Sequence, residues 1–311
     1  MGNWRMSILA FLLGACTLQS NREMENAYPA AIEAVGAEST DFWVRVHAIE
    51  FLIDLGHRDQ ARRLIEQCRV YEDSVPQRIG YWRMMYRVSE GTGRQSWLQK
   101  IKEAYLDSTG HDRIHAAETL AKLDFSLASQ DRGITARDLN DPGALGAYVN
   151  WGMALRENAE PDYERILAAL EDTSAVRKRV AAYALTFMKP LPAAYAQRLF
   201  HIAIKEPAGS GALPYLLHAA FIQNDDSVVT PDREALNRRL YDLAGLPGKD
   251  GPISFCKAVA AKGDRGAEAV LKKIYSEPVS PTEPGLSGIA KAAHDDIRVA
   301  AAFALASIFS K

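Results

Sequence analysis

The strongest constraint on this 311-residue chain is a helical frame that returns four times. Its clearest copy is Asp295-Asp296-Ile297-Arg298, followed by Ala301-Ala302, Ala304-Leu305 and Ile308. The frame recurs at Val44-Arg45, Ala48-Ile49, Phe51-Leu52 and Leu55, after Asp41. Further copies stand at Ala116-Ala117, Leu120 and Leu123, and at Ala181-Ala182, Ala184-Leu185 and Met188. Apolar residues three and four apart form one stripe on a helix, and small alanines let a second backbone approach it closely. The leading alanines, Ala48, Ala116, Ala181 and Ala301, are separated by 68, 65 and 120 residues. Two units in each of the first two intervals give a period in the low thirties, and three or four units fill the last. Such periods belong to stacked helical hairpins, each burying its apolar face only against its neighbours.

The frame resembles the second helix of a HEAT repeat: an acid, an aliphatic-Arg pair, two alanines, Ala-Leu and a closing aliphatic residue. The resemblance implies an all-α fold, an α-solenoid (α-α superhelix) of about eight helical hairpins. Asp112 and Arg177 stand where an aliphatic residue belongs and Lys178 replaces the arginine, which bears on the subfamily and not on the hairpin. The Trp, Leu-Gly, Tyr, Ala, Phe and Pro frame of tetratricopeptide repeats, the nearest structural rival, does not recur.

Companion helices precede the alanine helices. Trp97, Ile101, Ala104 and Tyr105 form one stripe, Tyr163, Ile166, Leu167 and Leu170 a second, and Val270, Leu271 and Ile274 a third. Each reads as an outer helix leading into an inner one. The expected hairpins are 26–56, 58–90, 94–125, 134–158, 160–189, 192–223, 231–262 and 265–310. Turn signals fall at Gly56, Gly91-Thr92-Gly93, Gly110, Pro190 to Pro192 and Gly245 to Gly251. The insert from Glu277 to Gly288 carries Pro278, Pro281 and Pro284, which forbid a continuous helix, so a surface loop and a candidate binding face are expected there.

The first sixteen residues have the parts of an export signal: Arg5, an apolar run from Met6 to Leu13, and small residues before a cleavage point. The run is too short to span a bilayer, which takes roughly 20 apolar residues. Leu13-Gly14-Ala15-Cys16 resembles the lipobox of bacterial lipoproteins. That resemblance implies cleavage before Cys16 and lipid attachment to its thiol, with several acyl chains giving a firm anchor. Thr17, not Asp, follows the cysteine, which leans towards the outer membrane. Residues 1–16 then form a signal peptide, 17–25 a tether reaching at most about 30 Å, and 26–311 the HEAT-like domain.

Loss of residues 1–16 takes the formal charge from −2 to −3, with no basic run, so nucleic-acid binding is not expected. Cys68 and Cys256 lie in distant units of a linear stack and are expected as buried free thiols. His111 and His115 share a helical spacing, but no third ligand and no HExxH accompany them, so neither metal nor cofactor is expected. His294 adjoins Asp295 and Asp296, acids that suit the first turn of the final helix. Asp225-Asp226 reads as a polar loop, with a carbohydrate enzyme as the lesser reading.

Arg78, Tyr81, Trp82, Met84, Met85, Tyr86 and Arg87 crowd one helix with residue types enriched at interface cores. Trp43, Arg78, Trp82, Tyr86 and Trp151 are therefore the partner-binding candidates. The leading expectation is a non-enzymatic, lipid-anchored adaptor holding a protein partner at the cell envelope, on the periplasmic side. The alternative is an all-α carbohydrate-binding or carbohydrate-cleaving lipoprotein. An open arc would favour the first and a closed ring the second.

Overall fold

A computed structural model describes residues 27–127, 132–155, 160–188, 190–223, 231–277 and 287–310. Among these residues the regular structure is helical throughout, with no strand. The helices are α1 (residues 27–38), α2 (Phe42–Asp54), α3 (Arg58–Gln67), α4 (Gln77–Val88), α5 (Gly91–Leu106) and α6 (Arg113–Lys122). They continue as α7 (Arg132–Leu139), α8 (Ala144–Met153), α9 (Glu160–Leu170), α10 (Ala175–Leu185) and α11 (Ala193–Lys205). The last are α12 (Leu213–Gln223), α13 (Pro231–Asp242), α14 (Asp250–Lys262), α15 (Glu268–Ser276) and α16 (Ser287–Ser310). Among the described residues, successive helix pairs fall within a few residues of the hairpins expected from the periodicity.

Local chemistry sets several boundaries. The Asp41 carboxylate accepts from the amides of Trp43 and Val44 at 2.8 and 3.1 Å, satisfying orphan donors at the start of α2. Ser174 does the same for α10 through Arg177 N. Gly263 takes the left-handed conformation, φ +67°, that ends α14. Two expected boundaries move. Gly91-Thr92-Gly93 forms the first turn of α5 and not a loop between helices. The final helix starts at Ser287, a full two turns earlier than expected, because Ile289-Ala290-Lys291-Ala292-Ala293 is strongly helix-forming and Lys291 pairs with Asp295 one turn on at 3.2 Å. Asp295 and Asp296 are therefore mid-helix residues, buried at 6% and 1% exposure, and not first-turn acids.

The even-numbered helices form an inner layer, and the alanines explain why. Ala48, Ala116, Ala117, Ala181, Ala182, Ala301 and Ala302 are all within 1% of full burial. At Gly36 of α1 there is no room for a side chain, since a Cβ would come within 2.8 Å of the Ala48 Cβ. Each inner helix packs on the next in the order α2, α4, α6, α8, α10, α12, α14, α16, and α16 then packs on α2. Outer neighbours touch more sparsely: α9 packs on α11 and α11 on α13, while Glu33 of α1 takes Gln60 and Arg63 of α3. Close inner spacing and looser outer spacing wedge the hairpins into a ring.

Aromatic contacts seal the join between the first and last hairpins. Phe51 of α2 stacks on Phe303 of α16 with ring centroids 4.3 Å apart. Tyr28 of α1 stacks on Phe309 and meets the Tyr275 ring of α15 edge-on. His47 Nδ1 and Asp296 Oδ1 are 2.6 Å apart across 249 residues of sequence.

The anomalous residues of the repeat frame also have a structural use. Asp112, fully buried, accepts from Arg78 of the preceding pair at 2.5 Å, and Arg113 bonds the buried Asp138 of the following one. Lys178 reaches the nearly buried Glu206 at 2.8 Å. Polar groups thus bridge successive pairs where small apolar residues alone would leave the register loose. Cys68 and Cys256 are free and buried, as expected. No described helix is long and apolar enough to cross a membrane.

Candidate functional site

Because every hairpin returns the chain to the same side, the inner helices run parallel around the ring axis. Two cavities open along that axis. The C-terminal ends of the inner helices line the larger, about 870 Å³, and their N-terminal ends line the smaller, about 530 Å³. Arg83, Lys122, Thr186, Phe187, His218 and Lys257 line both and define a waist. These volumes fall in the range of small-ligand sites.

The alanine frame aims the lining. Two residues after each leading alanine stand Glu50, Glu118, Tyr183 and Phe303, and one turn further stand Asp54, Lys122, Phe187 and Ser307. All eight face the axial cavities. Positions separated by four share a helix face, so one face of each inner helix packs through alanine while an adjoining face presents chemistry.

The charges inside are largely answered. Arg83 Nε donates to Glu50 Oε1 at 2.6 Å and its Nη1 to Thr119 Oγ1 at 3.0 Å. Lys122 pairs with Glu118 at 2.8 Å, and the Tyr183 hydroxyl donates to the same carboxylate at 3.0 Å. Asp296 is shared by His47 and by Lys249, the latter at 2.8 Å. At the N-terminal mouth Arg179 bonds Asp250 at 2.7 Å and lies over the Tyr215 ring. At the other end Arg87 pairs with Asp54.

These contacts fix protonation. Burial pushes the Glu50 carboxyl up, but Arg83, Lys122, His47 and Arg87 together outweigh it and hold the group down at about 2. Asp296 is likewise held at about 2 by His47 and Lys249 against its burial. Glu118 lies well below the ordinary carboxylate range, burial being overcome chiefly by Lys122. Asp54 is raised, by burial first, with Arg87 opposing. Burial, then Lys257, keeps His218 neutral, at about 3. Burial and then nearby Glu118 push the Tyr183 and Tyr148 hydroxyls up, and burial takes Tyr215 to about 12. The chamber therefore offers protonated phenols, ionised acids with fixed partners and aromatic faces. It is equipped to hold a polar ligand by many hydrogen bonds.

Of the five partner-binding candidates only Trp43 reaches this axis, half-buried against Phe42 and His115. Trp82, 8% exposed, lies under Arg78, and Trp151, 1% exposed, packs against Phe187, so neither has surface to offer a partner. The reason is position: α4 and α8 belong to the inner layer and are flanked on both sides by other inner helices. Arg78 is engaged with Asp112, and half-buried Tyr86 lies beneath the Arg94 guanidinium at 4.4 Å. His115 lies 3.8 Å from Glu118, His111 is exposed, and no group of three metal-ligating residues occurs among the described residues. His294 Nε2 donates to the Glu277 carbonyl at 2.8 Å. Cys16, the lipobox, the tether, Asp225-Asp226 and the proline-rich stretch 278–286 lie outside the described residues.

Neither a protein-family model nor a curated protein sequence matches this chain.

Proposed function

We propose that this chain is a carbohydrate-binding lipoprotein whose HEAT-like helix pairs close around an axial ligand chamber. The observation that carries the reading is the closure of α16 on α2, which turns what would be an open concave groove into an enclosed site. A protein partner would need the groove, whereas a ligand of a few sugar rings needs the chamber. Trp43, Tyr148, Tyr183 and Tyr215 supply faces on which sugar rings can lie, and the paired charges around them supply hydrogen bonds to hydroxyls. We read the site as binding and not cleaving. Glycoside hydrolysis needs one carboxylic acid kept protonated beside an ionised one. Glu50, Glu118 and Asp296 are held ionised by cations, and Asp54, which burial raises, is bonded to Arg87 in the larger cavity, away from the aromatic faces that line the smaller.

On this reading a lipid on Cys16 keeps the ring within the short reach of its tether at the envelope surface. Replacing Cys16 by Ala should move the protein from the membrane fraction to the soluble one; full retention would remove the anchor. A glycan panel titrated by calorimetry and tryptophan fluorescence tests the binding. Trp43→Ala and Tyr215→Ala should each weaken the best ligand about tenfold, in line with the loss of one aromatic contact. The reading fails if no glycan binds, if these variants bind as well as the parent, or if the parent releases reducing sugar.

A further inference from the structure

The waist carries more positive charge than its neighbours answer. Three of the six residues shared by both cavities are cationic and none is a carboxylate. Arg83 has Glu50 at 2.6 Å and Lys122 has Glu118 at 2.8 Å. Lys257 has no equivalent: among the described residues no carboxylate oxygen comes within 4.0 Å of its ammonium. The ammonium instead faces the rings of Phe51 and Phe187, 5.4 and 5.7 Å from their centroids. Burial first, then the like charge of Lys122, lower its pKa, and the acids that oppose them from further off, Glu50, Asp296 and Asp54, are each bonded to another cation. His218 cannot share the load, because burial keeps it neutral. A cation facing two aromatic rings inside the chamber is less well hydrated than one at the surface and lacks one counter-charge.

We propose that the waist is an anion-recognition subsite, where Lys257 with Lys122 beside it takes a carboxylate borne by the bound carbohydrate, making the ligand an acidic sugar and not a neutral one. The inference rests on the carbohydrate reading above. One unanswered positive charge matches one carboxylate. A phosphate monoester, carrying about −1.5 to −2 at neutral pH, would leave the waist over-compensated. Phe51 and Phe187 flank the ammonium with low-polarity surface, which strengthens a charge-assisted hydrogen bond formed there.

The test is calorimetry with aldotriouronic acid, a trisaccharide bearing one carboxylate, and with its methyl ester, the same skeleton without charge, on the parent protein, Lys257→Met and Lys257→Arg. The acid should bind the parent roughly ten- to a hundredfold more tightly than the ester. Lys257→Met, checked for native helicity, should erase that preference while leaving ester affinity in place, and Lys257→Arg should restore most of it. Equal affinity of acid and ester for the parent overturns the subsite and leaves the carbohydrate reading standing, as does a preference that survives in Lys257→Met. If neither skeleton binds, the glycan panel decides the carbohydrate reading, and acetate, a single carboxylate, decides the subsite. At constant ionic strength, acetate should raise the melting temperature of the parent and not of Lys257→Met; an equal response in both overturns it.

Discussion

Glu50→Gln gives the sharpest quantitative test of how the chamber is held together. Glu50 and Arg83 are 16% and 5% exposed at the side chain and join α2 to α4 at 2.6 Å. The substitution keeps the shape and removes the charge, leaving Arg83 buried without its carboxylate. A buried pair broken on one side costs about 3–5 kcal/mol. Proton linkage gives a separate figure. The carboxyl is held at about 2 in the folded chain against an ordinary 4.5, and at about 1.4 kcal/mol for each pH unit the difference comes to about 3 kcal/mol. The folded value is the depressed one, so this stability is present above pH 4.5 and is lost as pH falls from there through 2. Urea unfolding followed by circular dichroism, on parent and variant from pH 7 down to pH 3, reads both effects. Glu50→Gln should be about 3 kcal/mol less stable at neutral pH, and roughly three fifths of the gap should close by pH 3. A gap that does not change with pH, or a variant as stable as the parent at pH 7, would show that Arg83 is satisfied without Glu50.

Two more outcomes follow from the packing. Phe303→Ala removes half of the stacked pair closing the ring and, with Phe303 only half-buried, should cost about 2 kcal/mol; a double-mutant cycle with Phe51→Ala should return a coupling of about 1 kcal/mol, and zero coupling would mean the seal lies elsewhere. Burial pushes the Cys68 thiol up to about 11 and raises Cys256 as well, so neither should react with a thiol reagent at pH 8 until the protein is unfolded; rapid native labelling of either would contradict their burial.

The helices are legible in the sequence because their information is local. Periodic apolar residues and paired alanines announce a packed face within a dozen residues, and the hairpins follow from repetition. The chamber is legible only in part. Glu50, Glu118, Tyr183 and Phe303 stand at one position of the repeat frame, so the content of that single position names four lining residues. That they face one another depends on closure, which brings Asp296 to His47 across 249 residues. No local pattern encodes that contact. The aromatic cluster of α4 misleads for the opposite reason: Tyr81, Trp82 and Met84 have the composition of an interface core, but the neighbouring helices of the same chain already cover them. Asp295-Asp296 invites the wrong assignment because acids at a helix start and acids inside a helix look alike when the start itself is misplaced.

The join between α16 and α2 has one more consequence. An open stack can gain or lose a unit at little cost, since a new unit only extends it and the end units keep their polar caps. A closed circle has no end units and a fixed circumference, so the number of hairpins becomes an integer constraint on the whole molecule. Deleting any one pair should open a gap that no neighbour can fill, whichever pair is removed. Cutting the chain between pairs and joining the old termini leaves every contact in place, so permuted chains that begin at α3, α7 or α11 should fold to the same ring.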